Sequence, residues 1–170
     1  MFQPWQNFYM LLGPAAGTLI GLLFVVVTLT SRIEHSRAQH GVALYMTPNL
    51  FQFGIVLLIS ATALAPGLMP NVSATIITAC AAAGFVYASV IAVRMRSGRI
   101  AAPPHWSDIW CYAVTPAIVY LGLGASALAS WTAPVEASYG IAVAATILLL
   151  VAIRNAWDLV TWLAPRRDGG

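Results

Sequence analysis

The chain has 170 residues, 60% of them hydrophobic and 8% charged, with a formal net charge of +3 carried by eight Arg and no Lys. A soluble domain carries about 25% charged residues, so this composition excludes a soluble globular fold and leaves room for one membrane domain. The few basic residues read as topology markers, not as a nucleic-acid footprint.

A membrane span needs roughly 20 mostly apolar residues. The first stretch that meets this runs from about Tyr9 to Thr30 and ends in the polar segment Ser31 to His35. No basic n-region precedes it, so it reads as a retained span and not as a cleaved signal peptide. The second is expected from Pro48 to Leu68, with Thr47 as N-cap and Pro48 at the first helical position. Pro66, Gly67 and Pro70 then mark a tight turn. Asn71 is placed to cap the third span, Val72 to Val93, which stops at Arg94-Met95-Arg96. Ser107 or Asp108 caps a fourth span over 109–129. Pro134 and Glu136 open a fifth that reaches Ala164, about 31 residues and roughly 46 Å long.

With five spans, all eight Arg fall on or near one side: Arg32, Arg37, Arg94, Arg96, Arg99, Arg154, Arg166 and Arg167. The positive-inside rule makes that side cytoplasmic, with the N-terminus outside. Trp5, Phe8, Tyr9, Trp131 and Tyr139 fit the outer interface, and Trp106, Trp110, Trp157 and Trp162 the inner one. A four-span alternative, with spans two and three forming a re-entrant hairpin, places the charges equally well, but both segments are long enough to cross. The expected class is an all-α polytopic transmembrane helical bundle forming a single domain.

Three groups of residues invite a functional reading. Gly13, Gly17 and Gly21 form a small-xxx-small register on span one, a face that another helix backbone can approach closely. Its occupant is either a helix of the same chain or a second copy. On span five, Arg154 and Asp158 stand at i and i+4, with Asn155 and Thr161 extending a polar stripe near the inner membrane edge. Either Arg154 snorkels and pairs with Asp158, or the stripe lines a vestibule inside the bundle. On span four, Asp108, Tyr112 and Thr115 share a face, and Pro116 frees the carbonyl of Tyr112 by removing a backbone donor. Asn49 and Gln52 on span two, and Cys80, Tyr87 and Arg94 on span three, add further polar positions. The outer half reads as almost entirely apolar, which argues against a continuous pore.

His35, His40 and His105 show no metal-ligand spacing, and Cys80 and Cys111 match neither a metal site nor a disulfide framework. No nucleophile elbow, phosphate-binding loop or HExxH occurs. No cofactor is expected, and a membrane enzyme using Asp108 or Asp158 as base lacks a visible substrate site.

Three segments carry a resemblance: Phe8-Tyr9 with the run Gly13 to Val25, Thr47-Pro48, and Asn155-Ala156-Trp157-Asp158-Leu159-Val160-Thr161. Together they resemble a group of small uncharacterised multi-span bacterial inner-membrane proteins. The chain departs from that group at Pro14, where a hydroxylated residue or Ala is usual. The resemblance implies a multi-pass protein of the bacterial plasma membrane and brings no activity, cofactor or catalytic residue. The expected function is a non-enzymatic helical bundle that associates with itself or joins a larger membrane complex. The alternative is a small transporter or channel with a cytoplasm-facing vestibule built from Arg154, Asn155, Asp158, Asp108, Tyr112 and Gln52.

Overall fold

The computed structural model describes residues 2–30, 36–96 and 109–163, with side chains at 2–29, 46–95 and 109–161. The described residues are helical apart from short turns. A single 3₁₀ turn, Gln3–Trp5, leads into α1, Gln6–Thr30. It is followed by α2, Ser36–Leu64, and α3, Pro70–Arg96. A π-helical turn, Trp110–Val114, runs into α4, Thr115–Ala129, and α5 covers Pro134–Leu163. Five of these segments are long and apolar enough to cross a membrane.

Several element boundaries differ from the sequence expectation: α1 starts at Gln6, α2 ends at Leu64 and not at Leu68, and the starts of α2 and α3 shift. The second helix begins at Ser36, so Pro48 lies inside it and Thr47 is not its N-cap. A proline at N1 and a proline inside a helix leave the same local signature. Here the helix continues because Pro48 is buried among neighbours and only one backbone donor is lost. The third helix starts at Pro70 and not after Asn71. The Met69 carbonyl takes the amides of Val72 and Ser73 at 3.0 and 3.1 Å, so Asn71 caps nothing. Gly67, at φ 70°, makes the turn between the two helices in a conformation that other residues adopt at a cost.

The packing is a ring of four helices with a fifth outside it. α2 packs on α3, α3 on α4, α4 on α5, and α5 back on α2; α1 lies mainly against α2, with a smaller contact to α5. α1 is accordingly the least buried of the five segments. Its Gly13 is buried, and a Cβ there would come within 3.0 Å of Ser60 Cβ on α2. The ring closes on apolar side chains, among them Phe53, Val56 and Ile59 of α2, Ile77 of α3, Leu123 of α4, and Ile141 and Leu148 of α5.

Two glycines missed by the sequence reading permit close approaches. Tyr120 of α4 lies directly over Gly84 of α3, in the space a side chain would fill, and Ser126 of α4 lies likewise over Gly140 of α5. At the end of the molecule holding the α2–α3 and α4–α5 turns, the N-terminus is tied down by aromatic rings. Trp5 stands edge-on to Tyr139 at 4.9 Å, and its Nε1 donates to Ser138 Oγ at 3.0 Å.

Candidate polar site between α2, α4 and α5

Four described side chains are charged, Arg94, Glu136, Arg154 and Asp158, and none of them is buried. The polar groups inside the molecule are therefore neutral, and they divide by type along its length. Towards the turn end they are mostly hydroxyls, which are satisfied within their own helices. Ser60 donates to the Val56 carbonyl, Thr62 to Leu58 and Ser73 to Met69. Ser130 donates to Ala127 and Ser138 to Val135. Such back-bonding consumes the donor locally and leaves nothing aimed across the interior. This end was expected to be almost entirely apolar; buried Ser and Thr hydroxyls occur there and bond within their own helices, whereas the buried Tyr9 hydroxyl has no partner among the described residues.

At the opposite end the buried polar side chains are amides: Asn49, Gln52 and Asn155. Asn155 is fully buried, and its Nδ2 donates across to the Cys111 carbonyl at 3.0 Å. The buried Tyr112 donates its hydroxyl to the Asn155 carbonyl at 2.9 Å. These two bonds join α5 to the π-helical turn that precedes α4. The turn explains the acceptor. The Thr115 amide reaches back five residues to the Trp110 carbonyl. The next donor in that register would be residue 116, which is Pro and has no N–H. The Cys111 carbonyl is thus left open, and Asn155 fills it. The sequence reading placed a freed carbonyl at Tyr112; the extra residue of the π turn opens that of Cys111.

The predicted Arg154–Asn155–Asp158–Thr161 stripe is split by the structure. Arg154 Nη2 pairs with Asp158 Oδ2 at 3.1 Å, but the two side chains are 45% and 44% exposed and lie on the periphery. Arg154 Nη1 also donates to Asn155 Oδ1 at 3.3 Å. Thr161 is exposed and bonds back to its own helix. Asn155 alone of the four points into the interior. Asp108, the fourth-span member of the expected vestibule, lies outside the described residues, as do the side chains of His35, His40 and His105.

On α2 the amides behave differently. Asn49 Oδ1 and Nδ2 and Gln52 Oε1 are buried and have no hydrogen-bond partner among the described residues. The hydroxyls of Tyr9 and Tyr120 share that condition. On α3, Cys80 is buried, Tyr87 stacks on Phe51 of α2 at 4.6 Å, and Arg94 is exposed.

A cleft of about 410 Å³ opens at the turn end, where Gln3 and Gln6 meet Thr62 and Ser73. None of its lining residues is charged. Among the described residues neither place offers an acid–base pair from carboxylates, because Glu136 and Asp158 stand at opposite ends of α5, 22 residues or roughly 33 Å apart. Among the described residues no three His, Cys, Asp or Glu side chains gather as metal ligands. Compared with known proteins, the chain matches no family model, no curated protein and no solved structure.

Proposed function

We propose that the protein is a non-enzymatic helical bundle of the bacterial plasma membrane that assembles with further copies of itself through α1. Its N-terminus then lies outside and its C-terminus in the cytoplasm, a reading supported by the distribution of the eight Arg. The observation that carries this reading is the fate of the three glycines of α1. Gly13 is used inside the chain, against Ser60, whereas a Cβ at Gly17 or Gly21 would meet nothing within 4 Å. Around them stand exposed apolar side chains, including Leu22 at 55%, Phe24 at 59% and Val25 at 53%. In lipid such a face gains nothing from the hydrophobic effect, but glycines let a second backbone come close enough for dispersion contacts.

The vestibule alternative draws less support. Its charged members, Arg154 and Asp158, are paired and peripheral. Asn155 has its donor and acceptor engaged.

The test is subunit counting by photobleaching in lipid vesicles. The wild type is expected to bleach in several steps per particle. Gly17→Leu with Gly21→Leu, which fills the open face, is expected to bleach in one step with helicity unchanged. Single-step bleaching of the wild type at every protein-to-lipid ratio ends the proposal.

A further inference from the structure

The unpartnered amides of α2 raise a question that self-association through α1 does not answer. Asn49 is fully buried and Gln52 is 3% exposed, three residues apart on one helix. Between them they present two carbonyl oxygens and one amide nitrogen without a partner among the described residues. A buried amide without a hydrogen bond destabilises the fold, and lipid offers no relief. Unlike the hydroxyls nearer the turn end, none of these three atoms bonds to its own helix.

Their depth follows from two contacts. Trp5 touches Ser138 of α5, and eight residues further along α1, Gly13 touches Ser60 of α2. Ser60 is therefore level with about residue 146 of α5. Gln52 lies eight residues beyond Ser60, which brings it level with Arg154 and Asn155, and Asn49 lies within about a turn of them. α2 and α5 pack directly on one another. The unpartnered atoms thus belong to the same layer as the Asn155–Cys111–Tyr112 bonds, at the end of the molecule where Arg154 and Asp158 mark the approach of water.

We propose that Asn49 and Gln52 form an internal water-binding site on the buried side of α2, level with Asn155 of α5. The donor set selects the ligand. A bound cation needs about six oxygens and usually a carboxylate, whereas the described residues offer two open oxygens here and no buried acid. An anion needs several donors, and here one amide nitrogen is open. A neutral molecule that both donates and accepts suits two acceptors and one donor, and buried water typically makes about three such bonds.

Solid-state NMR on the full chain in lipid vesicles tests this, with water as the probe. Magnetisation from water is expected to reach the side-chain nitrogens of Asn49 and Gln52 several-fold faster than the backbone amides of Phe53, Val56 and Ile59. Asn49→Leu is expected to remove most of the transfer to Gln52 while leaving the Trp5 and Asn155 signals in place, which also shows that the variant folds. If the two side chains are as slow as Val56, the site is dry and the inference is overturned. It is equally overturned by lipid cross-peaks to Asn49, or by shifts that follow exchange of sodium for potassium.

Discussion

Pro116 and Asn155 are coupled through one carbonyl group. Pro116 withholds the backbone donor that would close the π-helical turn on Cys111, and Asn155 Nδ2 supplies that donor from another helix at 3.0 Å. The backbone defect on one helix and the buried amide on the other are therefore two halves of one arrangement. Asn155→Leu is expected to lower stability by about 1–3 kcal/mol, because it leaves a part-buried acceptor open. Pro116→Ala returns an N–H to the turn and makes Asn155 less necessary. The double variant is then expected to be more stable than the sum of the single ones by at least about 0.5 kcal/mol. Equilibrium unfolding in detergent or bicelles measures all four corners, and strict additivity would show that the two residues act separately.

Tyr112 contributes less. Its hydroxyl bonds to the Asn155 carbonyl, an acceptor that lies inside α5 and can also take its helical donor. Tyr112→Phe keeps the ring and removes one bond, so a loss of about 0.5–1.5 kcal/mol is expected. In the same unfolding measurement, a loss as large as that of Asn155→Leu would mean that the hydroxyl holds more than this carbonyl.

The Gly84–Tyr120 contact is a packing constraint with a sharp control. A methyl group at Gly84 collides with the Tyr120 ring, whereas one at Gly122 meets nothing within 4 Å. Gly84→Ala is expected to cost about 1–3 kcal/mol through overpacking. Gly122→Ala is expected to leave the thermal midpoint unchanged or raise it slightly, since Ala is the better helix former. Adding Tyr120→Leu to Gly84→Ala should recover part of the loss.

The spans were legible because their signal is local: long apolar runs, broken at Pro66–Pro70 and near Pro134, mark helices whatever their neighbours. Asn155 and Tyr112 were also found, since a polar group at membrane depth stands out against its apolar background. Their roles were not legible. Adjacent positions on a helix point about 100° apart, so Arg154 and Asp158 on the periphery and Asn155 in the interior look like one stripe in sequence. The π turn has no local signature, so the open carbonyl of Cys111 was not foreseen. Gly84 and Gly140 differ from Gly17 only in what stands opposite them, and the order of residues along the chain does not say which helix that is.

Arg154 and Asp158 yield the last prediction, in which the two partners are unequal. Both are nearly half exposed, and such a pair contributes at most about 1 kcal/mol by itself. Their surroundings differ once one is removed. In Asp158→Asn, Arg154 keeps its bond to Asn155 Oδ1, and its long side chain can carry the charge to the headgroups. In Arg154→Gln, Asp158 keeps its charge on a short side chain near the membrane edge, and Asn155 loses a donor. Arg154→Gln is therefore expected to destabilise more than Asp158→Asn, and adding Asp158→Asn to Arg154→Gln should restore part of the loss. Unfolding of the three variants in bicelles checks the order. If Asp158→Asn is the more damaging, then Asp158 holds something besides Arg154, and the pair would have to be read as part of a site.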